Sequence, residues 1–164
     1  AESLNIFTQI SETATQMMDE MSDIVWTINP KNDSTEKILQ RMYLFASPVL
    51  AANDIALSFF VYENSRNEKM IMSKRKNLYL IFKEAINNAV KYARCSAIDI
   101  SFKKAGNMIE MKITDNGMGF DPEHVKEGNG LTNMQQRARE MNGQLSVQSE
   151  AGKGSSITLC FPPE

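Results

Sequence analysis

The stretch EAINNAVKYA, residues 84–93, decides how this chain is interpreted. It lies in a run with helical apolar spacing, which predicts a helix over about residues 73–94. Along that helix Glu84, Asn88 and Lys91 stand at i, i+4 and i+7, within about 40° of one another. The apolar residues fall on the opposite side. The helix is therefore predicted to bury one face and to present a carboxylate, an amide and an ammonium on the other, although a solvated helix face would explain this triplet taken alone.

Three glycine-containing segments follow this helix, namely DNGMGF at 115–120, GNG at 128–130 and GKGS at 152–155. Glycine permits positive φ and lets a ligand approach the backbone closely. The second segment directly precedes a predicted helix, whose free N–H groups and positive dipole end suit a phosphate. One GxG alone is more often a turn than a ligand site. Three of them, in order behind the polar helix, are a strong indication of a ligand site.

The remaining periodicities predict an α+β domain with a mixed, largely antiparallel sheet. Alternating apolar residues predict a first strand at 55–61 and a hairpin with strands at 98–102 and 109–113. A helix over 131–141 is expected to end at Gly143, a good C-terminal cap residue. Two final strands, at 145–147 and 157–161, flank the last glycine segment.

Residues 1–53 read as two helices in front of this domain. A heptad of apolar residues from Leu4 onward is typical of a bundle or coiled-coil seam, and places Trp26 on the bundle side. The seam ends at Asn29-Pro30, because proline disfavours helix in the residue before it. The sequence DSTE at 33–36 has the form of a capping box and starts a second helix.

Composition excludes several classes of protein. The 164 residues fit one domain with a short appendage, and the net charge of −2 argues against a surface that mainly grips nucleic acid or anionic lipid. No apolar run approaches the ~20 residues of a membrane span. Cys95 and Cys160 are 65 positions apart, which suggests neither a zinc site nor a disulfide framework and fits a reducing, cytosolic setting.

With these motifs in place, the chain resembles the Bergerat-fold, or GHKL, ATP-binding domain shared by gyrase B and the sensor histidine kinases of bacterial two-component systems. Residues 84–93 match the family's asparagine box, and the three glycine segments match its glycine boxes in order and spacing. The stretch GNGLTNMQQRA is similar to the kinases paired with helix-turn-helix response regulators. The resemblance implies a two-layer α/β sandwich at 54–164, the ATP-binding catalytic domain. Residues 1–53 then correspond to part of the dimerisation and phosphotransfer helix plus a connecting helix.

The resemblance also implies roles for individual residues, with ATP and Mg²⁺ as cofactors. Asn88 would ligate Mg²⁺, which takes most of its oxygens from phosphates and water. Glu84 would orient or deprotonate the attacking group, and Lys91 would neutralise phosphate charge. Asp115 would accept a hydrogen bond from the adenine amino group. The other implied nucleotide contacts are Tyr92, Gly117, Gly119, Phe120, Gly128, Gly130, Leu131, Gly152, Gly154 and Ser155.

The sequence departs from the family pattern at a few positions. Tyr92 stands where the family most often has histidine, and Ser155 where threonine is usual. His124, the single histidine, lies in the short lid segment and not on a bundle helix. The phosphoacceptor histidine is therefore expected upstream, in a longer parent protein of which this chain is a fragment, unless the kinase is naturally degenerate.

The function predicted from the sequence is transfer of the γ-phosphoryl group of Mg·ATP to a histidine outside this chain. The expected partners are the acceptor helix of the parent kinase, a response regulator and a second copy bound through residues 1–28, with no nucleic acid. The expected location is the cytoplasm, which is compatible with a membrane-anchored parent. Two alternatives remain: a non-catalytic nucleotide-binding or dimerisation module, favoured by Tyr92 and the missing histidine, and an anti-sigma-type serine kinase on the same fold.

Overall fold

The computed structural model describes residues 2–65, 68–121 and 130–163. The helices are α1 (Glu2–Ile28), α2 (Thr35–Ala51), α3 (Met72–Asn88) and α4 (Gly130–Glu140). The strands are β1 (Ala56–Val61), β2 (Ala97–Ala105), β3 (Met108–Asp115), β4 (Gln144–Ser149) and β5 (Ser155–Phe161). A π-helical turn, Ala89–Ala93, continues α3, and short 3₁₀ turns occupy Pro30–Asn32 and Glu63–Ser65.

The five strands form one mixed sheet in the order β1-β2-β3-β5-β4. β1 pairs with β2 in parallel, and the other three pairings are antiparallel. The β2–β3 hairpin turns at Gly106, where φ is +61°. The predicted α+β class with a largely antiparallel sheet is confirmed.

One hydrophobic core joins the helices to a single face of the sheet. Along β3, Ile109, Met111 and Ile113 are buried and therefore face the helix layer. Asp115 continues the same alternation at the end of the strand. Phe82 of α3 is fully buried, and its ring centroid lies 6.4 Å from that of Phe45 and 6.5 Å from that of Phe59. Apolar contact thus fixes how α3 lies on the sheet.

The helix ends differ in detail from the sequence predictions. Ser34 is the N-cap of α2, and its Oγ accepts a hydrogen bond from Lys37 N at 3.4 Å. Lys37 therefore occupies the position that a capping-box Glu would hold, so the predicted capping box is wrong by one residue. After α4, Asn142 takes the left-handed conformation, with φ at +55°. Gly143 instead permits close packing, since a Cβ there would lie 2.7 Å from the Cys160 carbonyl oxygen.

Helix α1 ends before Asn29-Pro30, as predicted, but little of it is covered by the rest of the chain. Of its side chains from residue 5 onward, Asp23 and Thr27 alone are buried. Members of the heptad stripe are open to solvent, for instance Phe7 with 72% of its surface exposed. Trp26 packs at the edge of the core described above rather than within a bundle. Within the described ranges, no helix has the length and apolarity needed to cross a membrane.

The β4–β5 loop is held against the end of β3 by a glycine with no room for a side chain. Gly154 has φ at +78°, and a Cβ there would overlap the Asp115 carbonyl oxygen. Gly106 has a similar φ of +61° but opens onto free space. The two glycines therefore separate the cost of backbone strain from the cost of steric overlap.

We predict that Gly106→Ala lowers the free energy of unfolding by about 1–2 kcal/mol, because alanine is strained at positive φ. Gly154→Ala should lower the free energy of unfolding by a further ~1–3 kcal/mol. The new Cβ would overlap the backbone carbonyl of Asp115, which cannot move aside as a flexible side chain would. Urea denaturation of both variants beside the parent protein measures the difference. Equal losses would show that the contact with Asp115 does not constrain this loop.

Candidate nucleotide-binding site

Helix α3 brings two of the predicted site residues to the start of α4. Glu84 and Asn88 lie one turn apart and are half-buried. A Cβ on Gly130, the first residue of α4, would overlap Glu84 Oε1 and lie 3.3 Å from Asn88 Nδ2. The asparagine helix and the second glycine segment therefore meet, as the sequence predicted. This contact places a carboxylate and an amide at the positive end of a helix dipole.

Neither of these side chains is engaged by another part of the described chain. Within residues 2–65, 68–121 and 130–163, no side-chain hydrogen bond or ion pair involves Glu84 or Asn88. A half-buried carboxylate and amide that no described residue engages are available to a ligand. Gly130 also leaves the backbone of the first turn of α4 open to close approach.

Lys91 lies elsewhere than regular helical spacing predicts. It belongs to the π-helical turn Ala89–Ala93, which advances fewer degrees per residue than an α-helix. Lys91 consequently lines a groove of about 500 Å³ between α3 and α1, together with Lys83 and Asn87. The predicted face shared with Glu84 and Asn88 assumes α-helical geometry through residue 91, and the π turn is why Lys91 departs from it. Tyr92, in the same turn, is 69% exposed.

The first glycine segment is anchored to the end of this π turn. Ala93 O accepts a hydrogen bond from Met118 N at 2.7 Å. Gly117 is buried against the same carbonyl, which a Cβ would overlap. Arg94 then reverses the chain in the left-handed conformation, with φ at +49°. The segment after β3 thus lies directly beside the helix that carries Glu84 and Asn88.

Asp115 is positioned by the backbone that follows it. Its Oδ1 accepts a hydrogen bond from Gly117 N at 2.9 Å, which holds the carboxylate at the end of β3. It is half-buried on the helix-facing side of the sheet. Burial and the Asp115 carboxylate raise the pKa of the neighbouring Cys95 thiol above its usual range. Cys95 is therefore a neutral thiol beside the Asp115 carboxylate.

Asn116 is a supporting residue that the sequence reasoning did not single out. Its Oδ1 accepts hydrogen bonds from Ser96 N and Ala97 N, each at 2.9 Å. These bonds join the end of β3 to the start of β2. The available signal was its position directly after Asp115, because asparagine commonly bonds to nearby backbone in turns.

The third glycine segment packs on the first. Gly152 N donates to Met118 O at 2.6 Å, and Ser149 Oγ accepts from Phe120 N at 2.8 Å. Gly119 has φ at +63°, and a Cβ there would overlap the Glu150 carbonyl oxygen. Ser155 pairs with Asp115 in the β3–β5 ladder. The first and third glycine segments therefore form one hydrogen-bonded unit around the end of β3, and Ser149 is a second supporting residue missed in the sequence.

Some predicted residues cannot be placed. Gly128 and His124 lie outside the described residues. Leu131 is half-buried and packs against the core from the first turn of α4. The predicted contacts that the structure brings together come from α3, the end of β3, the start of α4 and the β4–β5 loop.

The residues present fit a Mg²⁺ ion only if the nucleotide supplies most of its ligands. In the portions of the chain that are described, no three acidic, histidine or cysteine residues cluster closely enough to hold a metal. Asn88 offers one neutral oxygen in a half-buried position, and Mg²⁺ prefers six hard oxygens. The donor set therefore suits an ion that arrives with phosphates and water.

Comparison with known proteins agrees with this geometry. The profile of the family described as histidine kinase-, DNA gyrase B-, and HSP90-like ATPase matches residues 73–164. A sensor-like histidine kinase of Chloroflexus aurantiacus, itself uncharacterized, is 27% identical over the whole chain. The chain spans 29% of the length of that relative.

Solved structures share the fold at lower identity. The histidine kinase domain of a blue-light activated kinase from Erythrobacter litoralis superposes with a TM-score of 0.67 at 14% identity, covering 96% of this chain and 84% of that one. The histidine kinase AdeS of Acinetobacter baumannii superposes with a TM-score of 0.69 at 14% identity, covering 94% of this chain and 80% of that one.

The resemblance seen in the sequence is thereby confirmed at the level of the family and of its histidine kinase relatives. The matched profile extends over more than half of the 164 residues and includes residues 84–93 and the three glycine segments. The chain therefore belongs to the histidine kinase-, DNA gyrase B- and HSP90-like ATPases.

Proposed function

We propose that this chain is the ATP-binding catalytic part of a sensor histidine kinase, which transfers the γ-phosphoryl group of Mg·ATP to a histidine outside the chain. The observation that carries the proposal is the contact of Glu84 and Asn88 with Gly130, together with the hydrogen-bonded unit of the first and third glycine segments around Asp115. That arrangement offers an acceptor for the base at one end and a helix dipole for phosphates at the other.

Each residue then has a distinct task. Asp115, fixed by Gly117 N, accepts a hydrogen bond from the adenine amino group. The start of α4 receives the phosphates, and Asn88 supplies a neutral oxygen to Mg²⁺, which neutralises phosphate charge when bound. Glu84 orients or deprotonates the attacking imidazole. Positioning and charge neutralisation supply most of the rate in such transfers.

The partners follow from the same proposal. The acceptor helix of the parent kinase brings its histidine to Glu84, and a response regulator takes the phosphoryl group onward. From Ile6 to Ile28, α1 exposes an apolar stripe that suits a second copy of the chain bound through residues 1–28. A domain that consumes ATP is expected to work in the cytoplasm, whether or not its parent is anchored to a membrane.

A second candidate is a nucleotide-binding module without catalysis. Two observations favour it: Lys91 lines the groove towards α1, and Tyr92, which stands where the family most often has histidine, is exposed. Nucleotide binding would then be retained while phosphoryl transfer is absent. Measurements of binding and of transfer in the same variants separate the two functions.

We expect Asp115→Asn to weaken ATP and ADP binding by roughly 10- to 150-fold, because it removes a charge-assisted hydrogen bond worth about 1.5–3 kcal/mol. The matched control is Asp99→Asn, an exposed carboxylate on the opposite face of the sheet. Calorimetric titration with ADP gives both affinities. Equal affinity of the two variants for ADP would show that Asp115 does not bind the adenine amino group.

Glu84→Gln should leave ATP affinity within about threefold, yet slow single-turnover transfer to a supplied acceptor helix by about 10²–10⁴, the usual effect of losing a general base. Glu63→Gln, an exposed carboxylate beyond the end of β1, is the control and should transfer at the parental rate. Transfer by Glu84→Gln at that rate would favour the module without catalysis.

Asn88→Ala tests the metal assignment. We expect its affinity for ATP with Mg²⁺ to fall by about tenfold, whereas ADP affinity in chelator should change little, because one ligand oxygen of the ion is lost. Titrations with and without Mg²⁺ measure both values. A parallel loss under the two conditions would mean that Asn88 contacts the nucleotide itself and not the ion.

A further inference from the structure

Asp23 joins α1 to two other helices through one buried carboxylate. Its Oδ1 accepts from Arg41 Nη2 at 2.7 Å and from Tyr79 Oη at 3.2 Å, while its Oδ2 accepts from Lys83 Nζ at 2.6 Å. Only 7% of Asp23 is exposed. Arg41 belongs to α2, and Tyr79 and Lys83 belong to α3. A single side chain therefore connects three helices.

The partners of Asp23 are prepared to receive it. Burial and the Asp23 carboxylate raise the pKa of Tyr79, so its hydroxyl stays protonated and donates. The Arg41 guanidinium lies 4.9 Å from the Trp26 ring centroid, and Lys83 Nζ lies 5.2 Å from that of Phe45. The Arg41 guanidinium also lies 5.8 Å from the Tyr79 ring centroid. Tyr79 and Phe45 belong to α3 and α2, so these two rings hold both cations in place without α1.

Apolar packing does not attach α1 strongly. Ile24 and Val25, which follow Asp23 along the helix, are 38% and 62% exposed. Near the end of α1 the other anchor is also polar, because the buried Arg75 donates through Nε to Thr27 O at 3.2 Å. Further towards the N-terminus, the groove between α1 and α3 separates the two helices. The attachment of α1 therefore depends chiefly on the polar contacts of Asp23 and Thr27 near its C-terminal end.

We propose that Asp23 is a latch that fixes the orientation of α1 on the nucleotide-binding domain. With its carboxylate bound, α1 is held beside α3, one residue of which, Lys83, directly precedes Glu84. When the carboxylate is released, α1 leaves a domain that stays folded. The buried core of that domain comes from the sheet and the other helices, and from residue 5 onward α1 adds only the half-buried Trp26 to it.

This inference goes beyond the proposed function, because it concerns the position of α1 and not the chemistry at the nucleotide. Two different sides of α3 are involved, because consecutive residues of a helix lie about 100° apart around its axis. Lys83 and Asn87 face α1, whereas Glu84 and Asn88 face α4. Release of α1 should therefore change where that helix points without removing any nucleotide contact.

The test uses Asp23→Asn in the whole chain, with Asp19→Asn as the matched control. Asp19 lies one turn earlier on α1, is exposed and borders the groove between α1 and α3, but makes no ion pair with any described residue. Trp26 is the single tryptophan, so its emission reports the docked interface directly. Hydrogen exchange followed by mass spectrometry reports α1 and the sheet separately.

We expect Asp23→Asn to shift Trp26 emission to longer wavelength and to raise exchange in residues 9–22 by about tenfold, while β3 and β5 keep the parental rate. Lys83→Met, which leaves Asp23 two of its partners, should give a smaller change in the same direction. Asp19→Asn should match the parent protein. ADP affinity should stay within about threefold in all three variants. Docked and released α1 leave the nucleotide contacts the same, so ADP should bind both states equally well.

Two results would overturn the latch. Unchanged exchange in α1 would mean that its position does not depend on Asp23, and a similar rise in α1, β3 and β5 would make Asp23 a stabiliser of the entire fold. Failure of the parent protein to bind ADP would instead contradict the proposed function. The exchange and fluorescence results would still decide the latch in that case.

Discussion

The burial of one side of α3 against the sheet is the constraint on which the rest of the structure depends. Leu78, Phe82 and Ile86 are fully buried, which fixes the rotation of the helix about its axis. Once that rotation is fixed, the directions in which the polar side chains of α3 face are fixed as well. Glu84 and Asn88 must face α4, and Lys83 must face α1. A single hydrophobic contact thus assigns two polar sides of the helix to two different tasks.

The end of α3 brings the segment after β3 beside this helix. A regular helix would carry its last carbonyls onward in the same direction, whereas the π turn widens the helix and Arg94 reverses the chain. Ala93 O can then accept from Met118 N, and Gly117 can approach the same carbonyl. π turns frequently occur at functional sites. Here the turn brings the segment after β3 beside the helix that holds Glu84.

Much of this arrangement could be predicted from the sequence because it depends on local periodicity. The alternation of β3 places Asp115 on the helix-facing side, and helical spacing places Glu84 and Asn88 together. The position of Lys91 could not be obtained in this way, since nothing in EAINNAVKYA distinguishes a π turn from an α-helix. The role of Asp23 was equally hidden, because Lys83 is 60 positions away and a charge on an apolar heptad reads as solvent-exposed.

The difference between apolar packing and a buried carboxylate explains why α1 is joined to the domain by Asp23 rather than by leucines. Apolar packing would tolerate several rotations and shifts of one smooth helix on another, whereas Asp23 must meet donors from Arg41, Tyr79 and Lys83 at once. Removing a charge from water is costly, and a buried ion pair therefore adds little net stability. What it does supply is a single orientation, since any other position leaves a carboxylate and two cations without partners. The proposed transfer of a phosphoryl group to a histidine on another helix would require a defined orientation of α1 more than additional stability.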